Sequence, residues 1–127
     1  MTIYVIRNTD TGNNQNNEGE IMGNRSNVKI TYHTGESVFL YTHWGGSELP
    51  GLVERVAATS GRLSDESYFA RVLFCAMLGD NLQDWRGETG YGIAPYPPDH
   101  DYGNVLVCVD YTQLNNKGEP AISFRDI

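Results

Sequence analysis

The run Val105-Leu106-Val107-Cys108-Val109 is apolar at every position. A strand with one wet face would alternate apolar with polar residues, so this run fits a strand covered on both faces, in the middle of a sheet. The rest of the chain must supply its neighbours. Residues 27–33 and 37–43 read as two strands joined at Thr34-Gly35-Glu36, a three-residue hairpin loop with a central glycine. In that register His33 faces Ser37, Asn27 faces His43 and Arg25 faces Gly45. A strand over about 89–94 and another over 121–124 complete the set, the last joined to residues 104–111 by a loop containing Asn115-Asn116-Lys117-Gly118.

Two helices fall between the early and late strands. Gly45-Gly46-Ser47 breaks the strand after Trp44, Ser47 is a good N-cap, Glu48 suits a first turn, and Pro50 needs no helical N–H partner there. Leu49, Leu52, Val53, Val56 and Ala57 then recur at helical spacing until Gly61. Ser64 or Asp65 caps a second helix carrying Tyr68, Phe69, Val72, Leu73, Cys75, Ala76 and Leu78, and Gly79 ends it. Residues 2–7 have the pattern of an added strand. Residues 8–20 contain no apolar side chain and read as a polar loop, so 1–21 form an N-terminal extension and 22–127 one domain. The fold class expected is α+β: an antiparallel sheet with two helices packed on one face, in the order β-ββ-αα-βββ.

Composition narrows the function classes. Sixteen acidic and nine basic residues leave a net charge of −7, with no stripe of Lys and Arg to displace counterions from a nucleic-acid polymer. No apolar run approaches the roughly 18 residues a membrane span needs, and the N-terminus lacks a signal-peptide core. Cys75 and Cys108 sit in apolar segments, where free buried thiols are expected and a reducing cytoplasm fits. Neither Cys-x-x-Cys nor His-x-x-x-His spacing occurs, so no metal site and no cofactor are expected.

One locus combines several functional residue types. A helix N-terminus behind two glycines presents unpaired N–H groups and the positive end of the helix dipole, a cradle for phosphate or carboxylate, although most such turns only connect a strand to a helix. The expected register sets Arg25, with its bidentate fork, and Asn27 beside Gly45, Gly46, Ser47 and Glu48. His43 either serves a ligand as a base or donor, or caps the sheet edge. Trp44 either stacks on a planar ring or, the commoner use, anchors the core. Arg71 lies among apolar residues of the second helix, to snorkel or to pair with Glu88 or Glu48. His33 and His100 lie in turns and read as solvated. Gly87-Glu88-Thr89-Gly90-Tyr91-Gly92 lacks the strand-then-helix context of a dinucleotide motif.

The stretches Met22-Gly23-Asn24-Arg25-Ser26-Asn27 and Leu40-Tyr41-Thr42-His43-Trp44-Gly45-Gly46-Ser47-Glu48-Leu49-Pro50 resemble a family of small uncharacterised proteins of bacteria and their phages. The resemblance continues through Tyr68-Phe69-Ala70-Arg71 and Gly87 to Gly92, covering roughly residues 22–111. It implies no catalytic role. It does imply that a phage origin, and a part in countering host defence, are in keeping with the chain.

Three functions compete. The first is binding of a small anionic or nucleotide-like ligand, as in sequestration, by Arg25, Asn27, His43, Trp44, the 45–48 turn and Arg71. The second is inhibition of a basic host defence protein through acids such as Asp65, Glu66, Asp99 and Asp101. The third is phosphoester hydrolysis with His43 as acid or base and Arg25 stabilising charge. A homo-oligomer is also expected, through edge pairing of residues 2–7.

Overall fold

The computed structural model describes residues 25–83, 85–87, 89–97 and 105–125. The expectations for residues 1–24, Glu88, Asp99, His100 and Asp101 lie outside that set. Five strands, β1 (Ser26–Thr31), β2 (Ser37–Thr42), β3 (Tyr91–Ala94), β4 (Val105–Leu114) and β5 (Pro120–Phe124), form one sheet in the order β3-β2-β1-β4-β5. Helices α1 (Leu49–Thr59) and α2 (Glu66–Leu78) lie in sequence between β2 and β3. The fold is α+β, with a mixed sheet and two helices.

The sheet is not purely antiparallel, as the sequence reading had it. β1 pairs antiparallel with β2 but parallel with β4, Val28 beside Val107 and Ile30 beside Val109. β3 adds to the far side of β2, so β4 does not follow it as a hairpin partner. A parallel neighbour requires a long crossover, and here the crossover from β1 to β4 contains β2, both helices and β3. β4 lies between β1 and β5, with Val105, Val107 and Val109 buried and Cys108, on the other face, half-buried.

The register of the first hairpin also differs from expectation. The closing pair is Tyr32 with Glu36, whose carbonyl accepts the Tyr32 N–H at 2.8 Å, and the loop is His33-Thr34-Gly35. Gly35 is its last residue, at φ 93°, where a type I turn hands over to a left-handed residue. Asn27 therefore faces Tyr41 rather than His43. One step further, Arg25 stands level with His43 rather than Gly45. A two-residue slip keeps every side chain on its face, so the alternation survives. β4 and β5 close in the same way: Asn115 N–H donates to Glu119 O, and Gly118, at φ 77°, ends the loop.

Val28, Ile30, Leu40, Val107, Val109 and Tyr111 from the strands share one buried cluster with Leu49 and Val53 of α1 and Phe69, Leu73 and Met77 of α2. The last three recur every fourth residue, one stripe of a helix. Asp65 caps α2 by accepting the Ser67 N–H at 3.2 Å, and Gly79 ends it with φ 54°. Both cysteines are free and half-buried. Burial pushes the Cys108 thiol up from its ordinary value, chiefly by removing water from the charged form. No helix among the described residues is long and apolar enough to cross a membrane.

Two contacts tie the helical layer to the sheet. Glu66, at the start of α2, accepts the backbone N–H of His33 at 2.9 Å and is also paired with the His33 ring. His33 is thus a clasp on the hairpin loop rather than merely solvated. Burial raises the Glu66 carboxyl, but the His33 N–H, its ring and its charge together hold it below the ordinary value of 4.5. A depressed carboxyl stabilises the fold above its unfolded pKa and loses that contribution as pH falls through the folded one. Wild-type and Glu66→Gln proteins should therefore differ in Tm near neutrality and converge once pH drops well below 4.5. A difference unchanged by pH would rule the clasp out as the cause.

The second tie is Tyr111, 4% exposed, whose hydroxyl donates to the Leu63 carbonyl at 2.6 Å in the connection between the helices. Desolvation pushes its phenol above the ordinary tyrosine range. Tyr111→Phe keeps the ring but strands the carbonyl, and chemical denaturation should record a loss of about 1–2 kcal/mol.

Candidate ligand-binding groove

The groove grows from the way β2 stops. Thr42 is almost fully buried, and its hydroxyl donates to the Trp44 carbonyl at 2.6 Å while accepting the Trp44 N–H at 3.1 Å. This local turn competes with the strand ladder and swings the chain out of the sheet. Gly45 follows in the left-handed region at φ 65°, and a 3₁₀ turn, Gly46–Glu48, runs directly into α1. Gly46 is buried under the turn, whereas Ser47 and Glu48 are exposed.

Trp44, Gly45, Ser47 and Glu48 form one wall of a groove of about 610 Å³. Thr42 and Tyr91 supply the sheet side, Leu49, Gly51, Leu52 and Arg55 the α1 side, and Ala76 and Met77 the end of α2. Trp44 is 52% exposed, so its ring lines the groove and does not anchor the core. The indole is nonetheless held: it stands edge-on to His43, with ring centres 4.4 Å apart and planes at 80°.

The N-terminal cradle is narrower than the sequence suggested. Glu48 N–H donates to Gly45 O at 3.0 Å, and Leu49 N–H to Gly46 O, so the 3₁₀ turn consumes donors that a bare helix start would offer. Ser47 sits inside this turn, and Glu48 occupies the cap position of α1 without a side-chain cap bond. The Glu48 carboxylate folds back to within 3.8 Å of the place a Gly45 Cβ would take. The cation of the groove is Arg55, whose Nη1 comes within 4.0 Å of the corresponding position on Gly51.

The other expected site residues stand elsewhere. Alternation places Asn27, Tyr41 and His43 on the sheet face opposite Thr42, and none of them lines the groove. His43 Nδ1 is 3.2 Å from the Tyr41 hydroxyl, and its backbone N–H donates to Gly90 O at 2.9 Å. Asn27 is fully buried with both amide atoms unpartnered. Arg25 is exposed just ahead of β1, and Arg71 is exposed on α2, away from both Glu48 and the groove. Among the described residues Arg71 makes no ion pair, and Glu88, the other acid expected to meet it, lies outside them. Asp65 and Glu66, the two described acids of the inhibitor reading, are occupied in the α2 cap and the His33 clasp.

Arg55, Thr42, Tyr91 and Met77 were missed by the sequence reading. The signal for Arg55 was its place four residues after Gly51 and seven after Glu48, both on the side of α1 that bears Leu52. Compared with protein-family models, curated proteins and solved structures, the chain matches none.

Gly90 explains part of the glycine-rich segment before β3. It has φ 86°, and a Cβ there would lie 2.9 Å from the His43 Cβ and 3.5 Å from Trp44 Nε1. Gly90→Ala combines a strained backbone with a contact to the His43 Cβ, which side-chain rotation cannot relieve. It should cost about 1–3 kcal/mol on denaturation and shift the Trp44 fluorescence. An unchanged spectrum and stability would show that β3 is not held where it supports the indole.

Proposed function

We propose that this chain binds a small anionic ligand with a planar or apolar part, of the nucleotide-derived class, in the groove beside Trp44. The observation that carries the reading is the combination in one concavity of a half-exposed indole, the Tyr91 ring and an Arg55 guanidinium with no ion pair among the described residues. An indole face stacks on a flat ring, and a guanidinium donates two parallel hydrogen bonds to a phosphate or carboxylate. A groove of this size suits a ligand of nucleotide dimensions. The turn that sets Trp44 is fixed by Thr42 and Gly45, so the recognition surface is formed before the ligand arrives. Together with the resemblance to small phage proteins, the role suggested is sequestration of a nucleotide signal in the host cytoplasm.

Binding rather than turnover is favoured because His43, the residue proposed as acid or base, does not line the groove and has Nδ1 engaged by Tyr41. A thermal-shift screen against nucleotides, cyclic oligonucleotides and ADP-ribose derivatives tests the reading. A ligand at a hundred times its Kd stabilises the fold by about 2.7 kcal/mol, a Tm rise on the order of 10 °C for a chain of this length. Arg55→Ala should weaken binding at least tenfold and Trp44→Ala similarly, while Arg71→Ala leaves it unchanged. If no compound shifts Tm, the nucleotide-derived class falls, and if Arg71→Ala is as damaging as Arg55→Ala, the groove is not the site.

A further inference from the structure

The groove contains two opposite charges, and neither has a partner among the described residues. Glu48 opens α1 and Arg55 lies seven residues on, which on a helix is two turns along one face and about 10 Å of axial rise. Glu48 lies too far along the axis to pair with Arg55 as an i, i+4 neighbour would. Neither side chain makes an ion pair or hydrogen bond with any of the described residues. Both fold back toward backbone glycines, Glu48 over Gly45 and Arg55 over Gly51, where no Cβ occupies the space. Leu52 and Trp44 line the same groove.

A purely anionic ligand explains Arg55 but not Glu48, whose carboxylate repels it from the other end of the same groove. We infer that the ligand of this groove is dipolar, with an amine held at Glu48, an anionic group held at Arg55, and an aromatic or apolar middle lying against Trp44. The inference rests on the groove being the binding site and sharpens the class of ligand it takes. A three-residue extended backbone spans about 10 Å, comparable to the axial rise between the two residues that carry the charges. The Gly45 turn also contributes the dipole of α1 near Glu48, so the carboxylate is what reverses the preference of that end from anion to cation.

The test uses the full chain and the tripeptide Gly-Phe-Gly in three forms: free, N-acetylated and C-amidated. Binding is read by Trp44 fluorescence and calorimetry, with AMP as the purely anionic control. The free peptide should bind, and blocking either terminus should weaken it at least tenfold. Glu48→Gln should abolish the discrimination against the N-acetyl form alone, and Arg55→Gln the discrimination against the amide alone. Both positions are exposed, and circular dichroism checks that each variant is folded. Equal binding of the free and N-acetyl peptides, or discrimination that survives Glu48→Gln, overturns the dipolar ligand. So does the absence of binding by any tripeptide. If AMP then still binds in an Arg55-dependent way, the anion site stands and only its extension falls. If AMP and the peptides all leave Trp44 undisturbed, both fall.

Discussion

The pairing on which the rest of this structure depends is the parallel one between β1 and β4. It buries Val28 beside Val107 and Ile30 beside Val109, all fully inaccessible to water, and it places β1 at the centre of the sheet. Because parallel neighbours cannot be joined by a tight turn, everything between them must be accommodated in the crossover. That segment includes β2, both helices and β3. Phe69, Leu73 and Met77 then reach the cluster that β1 and β4 have begun. The groove is a consequence of the same arrangement. It forms where β2 leaves the sheet, α1 starts and α2 ends, and each of those boundaries is set by a residue of limited choice: Thr42, Gly45 and Gly79.

Most of the element positions were legible because the signals were local. Helical spacing of Leu49, Val53 and Val56 located α1, and Asp65 with Gly79 bracketed α2. The hairpin register was not legible from the same cues. Placing glycine at the centre of its loop is reasonable on composition, but the strands' right-handed twist favours a type I turn closed by a left-handed residue, so glycine belongs last. Gly118 repeats the solution at the β4–β5 loop, and the two glycines have φ values of 93° and 77°. One misplaced glycine moved Asn27 and Arg25 away from the turn they were expected to flank. Parallel pairing was illegible for a different reason: β4 reads as a central strand whichever direction its neighbours run.

The candidate site was half legible. Trp44, Gly45, Ser47 and Glu48 announced themselves by breaking a strand and opening a helix, and all four line the groove. Arg55 did not, since an arginine on the wet side of an amphipathic helix looks like any solvated charge until the groove beside it is seen. Asn27 shows the opposite failure. Its amide was read as a ligand contact, yet it is buried on the far sheet face with neither end paired. A buried amide in that condition opposes folding by about 1–3 kcal/mol per unmet group, so its presence at the centre of the sheet is a departure from the consistency shown elsewhere.

The glycines carry the remaining link between fold and groove. Gly45 must take a left-handed conformation for the chain to turn from β2 into α1. Gly90 must lack a side chain for β3 to lie against His43 and the Trp44 indole. Each is therefore required first by the backbone; at Gly45 the space a Cβ would take is approached by the Glu48 carboxylate, as that of Gly51 is by Arg55. A cradle built only from backbone N–H groups would have needed those donors free. The 3₁₀ turn uses Glu48 N–H and Leu49 N–H internally, so the polarity of the groove comes from side chains instead. Side-chain charges separated by two helical turns can discriminate the two ends of a ligand, which a ring of equivalent N–H groups cannot. In this chain the charges of the groove thus come from Glu48 and Arg55, and the groove itself from where β2 is made to stop.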